Sequence, residues 1–322
     1  MTKDNAVASE DHIVEIVVFS LEYGDEKAVA EYGITYETLA RYKRDYKNRL
    51  GKELESQVLL KQIQDRYSPK ELRALAKGGA IARPFCNIPQ IDFNGDRIRL
   101  GCITDTHVGS LYFIDDLLYR AYEEFRKEKV DFILNPGDLT DGFNMFPGHV
   151  FELEDIGYEA QKKHAIEIYS DCPAPLKVCD GNHDRSFSKT NGAMIVKDIC
   201  EALPNAEFLG QDVGILWIDK INIMLWHGED GNSYATSYRL QKIVESLSGG
   251  SKPNLLIAGH THKQAHLFIR NVHVISAGCI QLQTPFMRGR RIEAHTGFWI
   301  LDIWKKEDSI NKLSATWYPF YA

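Results

Sequence analysis

IRLGCITDTHVG (Ile98–Gly109) is the stretch that decides the fold of this chain. An apolar, strand-like run ends in a polar turn, and Asp105 and His107 arrive two residues apart where the strand should stop. The same order returns in FILNPGDLTDG (Phe132–Gly142), LKVCDGNHD (Leu176–Asp184), IMLWHGED (Ile223–Asp230) and LLIAGHTH (Leu255–His262). These five islands carry eight metal-competent side chains: Asp105, His107, Asp138, Asn182, His183, His227, His260 and His262. A solvated surface has no reason to place Asp and His so repeatedly behind strand-like runs.

Working outward, strands alternate with helical stretches such as LLYRAYEEFRKE (Leu117–Glu128). Further strands are expected at VDFIL, PLKVC, GILWI, INIMLW and NLLIAG, with NVHVISAG and GFWILDIW completing the set. Asn94-Gly95 predicts a hairpin turn leading into the first island. Helices between the early strands and hairpins among the later ones predict a layered α/β domain over 91–322, its sheets face to face and its helices outside. The segment from Phe143 to Ser170 reads as a loop and a long helix that can overhang the site.

Residues 1–80 read as a separate, all-helical domain. A helix over 11–21 is followed by a short one over 26–32, a turn at Gly33 and a third helix capped by Thr35. That is the outline of a helix-turn-helix. The third helix carries Arg41, Lys43, Arg44, Lys47 and Arg49, of which Arg41, Arg44 and Lys47 are the candidate nucleic-acid contacts. A small bundle with a solvated basic face, or a surface for a protein partner or a second copy, accounts for the same residues. Ser68, Pro69 and Glu71 form a further helix start, and a boundary is expected in KGGAIARPF (Lys77–Phe85).

Aspartate and imidazole are ligands for manganese, iron, zinc or nickel, and one carboxylate can bridge two ions roughly 3.5–4 Å apart. Asp105 and His107 can converge on one ion, with His262 turning back to it. Asp138, after the tight turn at Gly137, is the candidate bridge, and Asn182, His227 and His260 can serve the second ion. His183 is then left to face substrate, stabilising a phosphoryl oxygen or protonating a leaving alkoxide. Asp184 can orient that imidazole or tie down its own loop. Tyr238 and Arg239 follow His227, near Tyr234, and Arg288, Arg290 and Arg291 form a basic cluster; these are candidate substrate contacts or ordinary surface residues.

Over residues 97–303 the islands DTH, GDLTD, GNHD, His227 and GHTH resemble the pattern of the calcineurin-like metallophosphoesterases. The resemblance implies a four-layer αββα sandwich. It also implies one ion on Asp105, His107, Asp138 and His262, a second on Asp138, Asn182, His227 and His260, and His183 as a non-ligand active-site histidine. Two divalent cations are implied, manganese first, with iron, zinc, nickel or magnesium as the others such a site accepts. The reaction implied is hydrolysis by in-line attack of water, and a homodimer is common among such proteins. The helical lead lies outside that pattern and loosely resembles helix-turn-helix modules of recombinases and phage packaging proteins.

With 322 residues the chain can bury a full core and a smaller second one, and its formal charge of -7 argues against wholesale coating of nucleic acid while leaving room for a local basic patch. No apolar run reaches membrane-spanning length, and acidic groups precede the first short apolar stretch, the wrong order for a secretory signal. The six cysteines are scattered, and Cys102, Cys179 and Cys279 read as small buried hydrophobes. A cytoplasmic, non-membrane hydrolase is expected. For substrate, a DNA exo- or endonuclease leads, a small-molecule phosphodiesterase or phosphatase acting on cyclic nucleotides or nucleotides follows, and a DNA-binding or assembly protein with a secondary metal site is the third reading.

Overall fold

The computed structural model describes residues 10–44, 88–229, 235–247, 252–306 and 309–320. The chain divides into two compact units, Met1–Arg83 and Pro84–Ala322. In the first, α1 (Glu10–Tyr23) and α2 (Asp25–Tyr32) are followed by α3, helical over 36–44. Gly33 ends α2 in the left-handed region at φ 60°, which glycine tolerates without a Cβ penalty. The Thr35 hydroxyl accepts the Thr38 amide at 3.1 Å, the side-chain cap expected from the sequence. Ile16, Ala28 and Leu39 are buried against Phe19, Tyr32 and Tyr42. Lys43 donates to Asp25 at 2.5 Å, while Arg41 and Arg44 are exposed. Lys47, Arg49, the helix start at Ser68–Glu71 and the whole expected boundary segment lie outside the described residues, as do Tyr234 and Cys86.

The second unit opens with β1 (Gln90–Ile91), β2 (Arg97–Cys102), α4 (Asp115–Glu128) and β3 (Phe132–Asn135). A single 3-10 turn (His149–Glu152) precedes α5 (Tyr158–Tyr169), β4 (Leu176–Asp180), α6 (Arg185–Asn191) and α7 (Ile195–Ala202). There follow β5 (Ala206–Gln211), the hairpin of β6 (Val213–Ile218) and β7 (Ile221–Trp226), α8 (Thr236–Ser246) and β8 (Leu255–Ala258). The chain then forms β9 (Gln264–Ile269), β10 (Val272–Ala277), α9 (Pro285–Gly289), β11 (Gly297–Lys306) and β12 (Ser309–Pro319).

These strands make two six-stranded sheets, β12-β11-β2-β3-β4-β5 and β1-β6-β7-β8-β10-β9. Alternation along β2 turns Ile98, Leu100 and Cys102 into the space between the sheets, where they meet Leu216, Ile223, Leu225, Leu255 and Ile257. The outer face of the first sheet is covered by α4, α5 and α7 through Tyr122, Phe125, Ile168 and Ile199. Gly101 lies on that face because an added Cβ would come within 2.8 Å of the Phe125 ring. The second sheet is covered by α8 through Leu240, Ile243 and Val244. The result is the four-layer αββα sandwich, preceded in sequence by an all-helical stretch.

The expected turn at Asn94-Gly95 leads into a strand but closes no hairpin. β1 pairs in parallel with β6 of one sheet, whereas β2 pairs with β11 and β3 of the other. The turn hands the chain from sheet to sheet, and strands more than a hundred residues away decide that. β5, β9 and β12, absent from the sequence reading, are sheet edges whose residues are mostly half-buried or exposed, so they lack the apolar runs of central strands.

Candidate metal centre

Each island follows a strand, as its sequence order requires. Asp105 and His107 come after β2, Asp138 after β3, Asn182 and His183 after β4, His227 after β7, and His260 and His262 after β8. All five islands therefore converge at the carboxyl ends of strands from both sheets. The backbone there is unusual: Asp105, His107, Asp138, His260 and His262 have φ of 48°, 50°, 51°, 77° and 55°. Non-glycine residues rarely adopt the left-handed region, and such strain persists only where surrounding structure enforces it. Gly181 permits the closest approach of two islands, since a Cβ there would collide with the Asp138 carboxylate.

The ligand-bearing atoms fall into two groups that meet at Asp138. In the first, His262 Nε2 lies 3.3 Å from Asp105 Oδ1 and 3.2 Å from His107 Nε2. In the second, His227 Nε2 lies 3.0 Å from Asp138 Oδ2, and Asn182 Oδ1 stands 3.1 Å from His227 Nε2 and 2.8 Å from His260 Nδ1. Asp138 Oδ2 is also 3.8 Å from His107 Nε2, so one carboxylate oxygen faces both groups. Asp105, His107 and His262 together, and Asp138, His227 and His260 together, can each hold an ion within their mutual reach.

Outer contacts orient these ligands. His107 Nδ1 is hydrogen-bonded to the Asp141 carboxylate at 2.9 Å, and His227 Nδ1 donates to the Pro136 carbonyl at 2.7 Å. Each bond turns Nε2 inward, as metal-binding imidazoles require. This nitrogen and oxygen donor set fits two divalent cations.

Burial is the largest single influence on His227 and His183 and opposes their charge, but Asp138 together with Asp105 for His227, and Asp138 together with Asp141 for His183, outweighs it and pushes each up to about 9. Burial likewise opposes ionisation of Asp105, yet His262 and His227 hold its carboxyl down at about 2. A histidine raised from 6.5 towards 9 stabilises the cation-free fold fully below about pH 6.5, and that contribution is lost as pH rises to about 9. Cation binding works in the opposite direction, because His227 must be neutral to ligate and binding expels its proton. In chelator the unfolding temperature should therefore fall from pH 6.5 to 9, and saturating Mn²⁺ should cancel or reverse the fall. Equal downward slopes in the two calorimetric series would show that cations do not compete with these protons.

His183 lines the cavity above Asp138 and is held by its other nitrogen: Nδ1 donates to the Asp141 carbonyl at 2.7 Å and lies 3.5 Å from the Asp141 carboxylate. Asp184 does not touch that imidazole. Its carboxylate accepts the amides of Leu139, Thr140 and Gly181 at 3.2, 2.8 and 2.9 Å, tying two islands together. The residue that orients His183 is Asp141, which a reading of the sequence passes over although it closes GDLTD (Gly137–Asp141). Asp141 also receives His149, buried beneath the loop after Gly142, at 3.3 Å. The Phe143–Ser170 segment does overhang the site, and Met145, Phe146, His149 and Glu152 line its cavity.

The candidate substrate contacts separate sharply. Arg290 lines the cavity; Arg288, Arg291 and Tyr238 do not. Arg239 is 4% exposed and donates to the carbonyls of Gly259 and His227 at 3.1 and 2.6 Å, bracing the two islands that carry His227 and His260. A helical position facing the sheet, invisible in sequence, turned an expected substrate arginine into an internal brace.

The profile of the family described as Calcineurin-like phosphoesterase matches residues 98–264, a little over half of the chain. Among curated proteins the chain is similar to the DNA polymerase II small subunits of Methanothermobacter thermautotrophicus and Archaeoglobus fulgidus, both at 24% identity. The first match covers 62% of this chain and 51% of the relative, and the second 66% and 54%. The chain thus spans about half the length of the curated relatives it matches. A solved archaeal phosphodiesterase is 20% identical, with a TM-score of 0.41, over 69% of this chain and all of the other. No helix among the described residues is long and apolar enough to cross a membrane. Sheets, convergent islands and family profile agree, and the chain belongs to the calcineurin-like phosphoesterases, with two side-chain clusters able to hold metal ions.

Proposed function

We propose that this chain hydrolyses phosphodiesters at a pair of divalent cations and that its substrate is a small phosphate ester. Asp105, His107, Asp138 and His262 hold one ion, and Asp138, Asn182, His227 and His260 the other. The observation that carries this reading is the single oxygen, Asp138 Oδ2, placed 3.0 Å from His227 and 3.8 Å from His107. Such ions, manganese first and iron, zinc, nickel or magnesium otherwise, neutralise phosphate oxygens and lower the pKa of water when bound. His183, fixed through Nδ1, presents Nε2 to a phosphoryl oxygen or a leaving alkoxide, and Asp141 sustains its charge. Five described cysteines are free thiols, which supports a reducing cytoplasm as the working compartment.

The cavity supports a compact substrate. It encloses about 340 Å³, and Arg290 is the one Lys or Arg among its described lining residues. A surface that tracks a nucleic-acid strand carries several cations along the backbone. The second reading, cleavage at a DNA end, draws on the similarity to subunits named for a DNA polymerase and on the exposed Arg41 and Arg44 of α3.

A Mn²⁺-supplemented panel tests both. It comprises bis-p-nitrophenyl phosphate, 2′,3′- and 3′,5′-cyclic nucleotides, a phosphomonoester, RNA, and linear and nicked DNA. Turnover of the small diesters, with DNA cleavage weak and unmoved by Arg41→Glu/Arg44→Glu, is the expected result. Dominant DNA cleavage that weakens several-fold in the double variant, most strongly at low salt, selects the second reading. DNA binding without hydrolysis of any ester would sink both and leave a DNA-binding or assembly role.

A further inference from the structure

One wall of the cavity is unlike the rest. Phe146, from the loop before the 3-10 turn, stacks on Phe286 of α9 with ring centroids 4.5 Å apart and planes 24° from parallel. The Arg290 guanidinium lies over the Phe286 ring at 3.8 Å, and His149 meets Phe146 at 4.8 Å. All four residues line the same cavity as His183 and Asp138. Both phenylalanines are half-buried, and neither belongs to the hydrophobic cores that hold the sheets and helices together. A stacked pair that serves no core and faces the half-open cavity shared with His183 and Asp138 is a surface for a flat ligand.

We infer that the column Phe146–Phe286–Arg290 is a stacking wall for a nucleobase, so that the phosphate ester taken by this site is a nucleotide. This rests on the phosphodiesterase reading and adds the class of the group beside the phosphorus. Aromatic faces and guanidinium planes both stack on bases, and such stacking tolerates any base because each has a π-face. The wall is only a few side chains long and ends in a cation, which leaves no apolar track for an acyl chain. Arg290 is exposed and anchored mainly by its contact with Phe286, so the guanidinium can yield its place to a base or cover the base's outer face. The base then lies against the wall while its phosphate reaches the island residues.

Calorimetric titration of the full-length, Mn²⁺-loaded protein with adenosine 5′-monophosphate and with inorganic phosphate tests the wall through their affinity ratio. The wild-type chain should prefer the nucleotide, and Phe286→Ala should lower the ratio about tenfold or more. Phe286→Leu keeps apolar bulk beside Phe146 and should lose the preference too, whereas Phe286→Tyr should retain it. A ratio that is the same in all four proteins, or no wild-type preference for the nucleotide, overturns the inference. Short oligothymidylate in place of the mononucleotide distinguishes a strand end from a free nucleotide as the source of the base: tighter, Phe286-dependent binding of the oligomer assigns the wall to strand ends, and equal or weaker binding to free nucleotides. Diester turnover measured alongside separates the two claims. Hydrolysis with an unmoved ratio removes the wall and leaves the phosphodiesterase, while a wall-dependent ratio without diester hydrolysis does the reverse.

Discussion

Asp138→Asn is expected to remove nearly all turnover, at least about 10³-fold, and to lower cation content below two per chain. A single well-placed charge-stabilising group is worth about 10²–10³, and this substitution strikes both ligand groups at once. The amide keeps an oxygen able to accept the His183 backbone N–H, which Asp138 Oδ1 receives at 2.9 Å, so the loop itself should hold. It replaces the shared oxygen facing His227 and His107 with a neutral group. Metal analysis and kinetics on bis-p-nitrophenyl phosphate provide the check. Full activity with two ions retained would show that Asp138 bridges nothing.

His183→Ala should behave differently, keeping both ions while slowing the chemical step by about 10²–10⁴-fold. The side chain is anchored to Asp141 rather than to the ligand groups, and its Nδ1 bond goes to a backbone carbonyl. If it protonates the leaving group, the loss should be greater for an alkoxide leaving group than for p-nitrophenolate, which needs little help. An equal loss on both points to stabilisation of a phosphoryl oxygen instead. Loss of cations from the variant would make His183 a ligand and overturn the role. Asp141→Asn should cost less than His183→Ala, because the Asp141 carbonyl still holds the ring.

The sequence was legible where chemistry and burial impose the same order on neighbouring residues. Central strands such as β2, β3, β4 and β8 carry buried apolar residues and run directly into the islands, so runs and islands announce each other. The Thr35 cap was legible for a similar reason, since a hydroxyl three residues before an orphan amide is a local interaction. Edge strands β5, β9 and β12 were not, because an edge needs neither a continuous apolar run nor a special turn. The roles of Arg239 and Asp184 stayed open in the sequence for another reason. A charged residue beside an island looks catalytic until the fold shows which backbone groups it satisfies.

Sequence by itself determined the reaction's equipment: the five islands, the αββα architecture they accompany, and the family to which the chain belongs. Tertiary structure alone decided how that equipment is held and bounded. It joined two ligand groups at one oxygen of Asp138 and gave His183 to Asp141. It also set Phe146 beside Phe286, residues 140 positions apart, on one wall of the cavity. Hydrogen-bond orientation and ring stacking depend on distances of a few ångströms between remote segments. Spacing along a chain carries such information only after the sheets have brought those segments together.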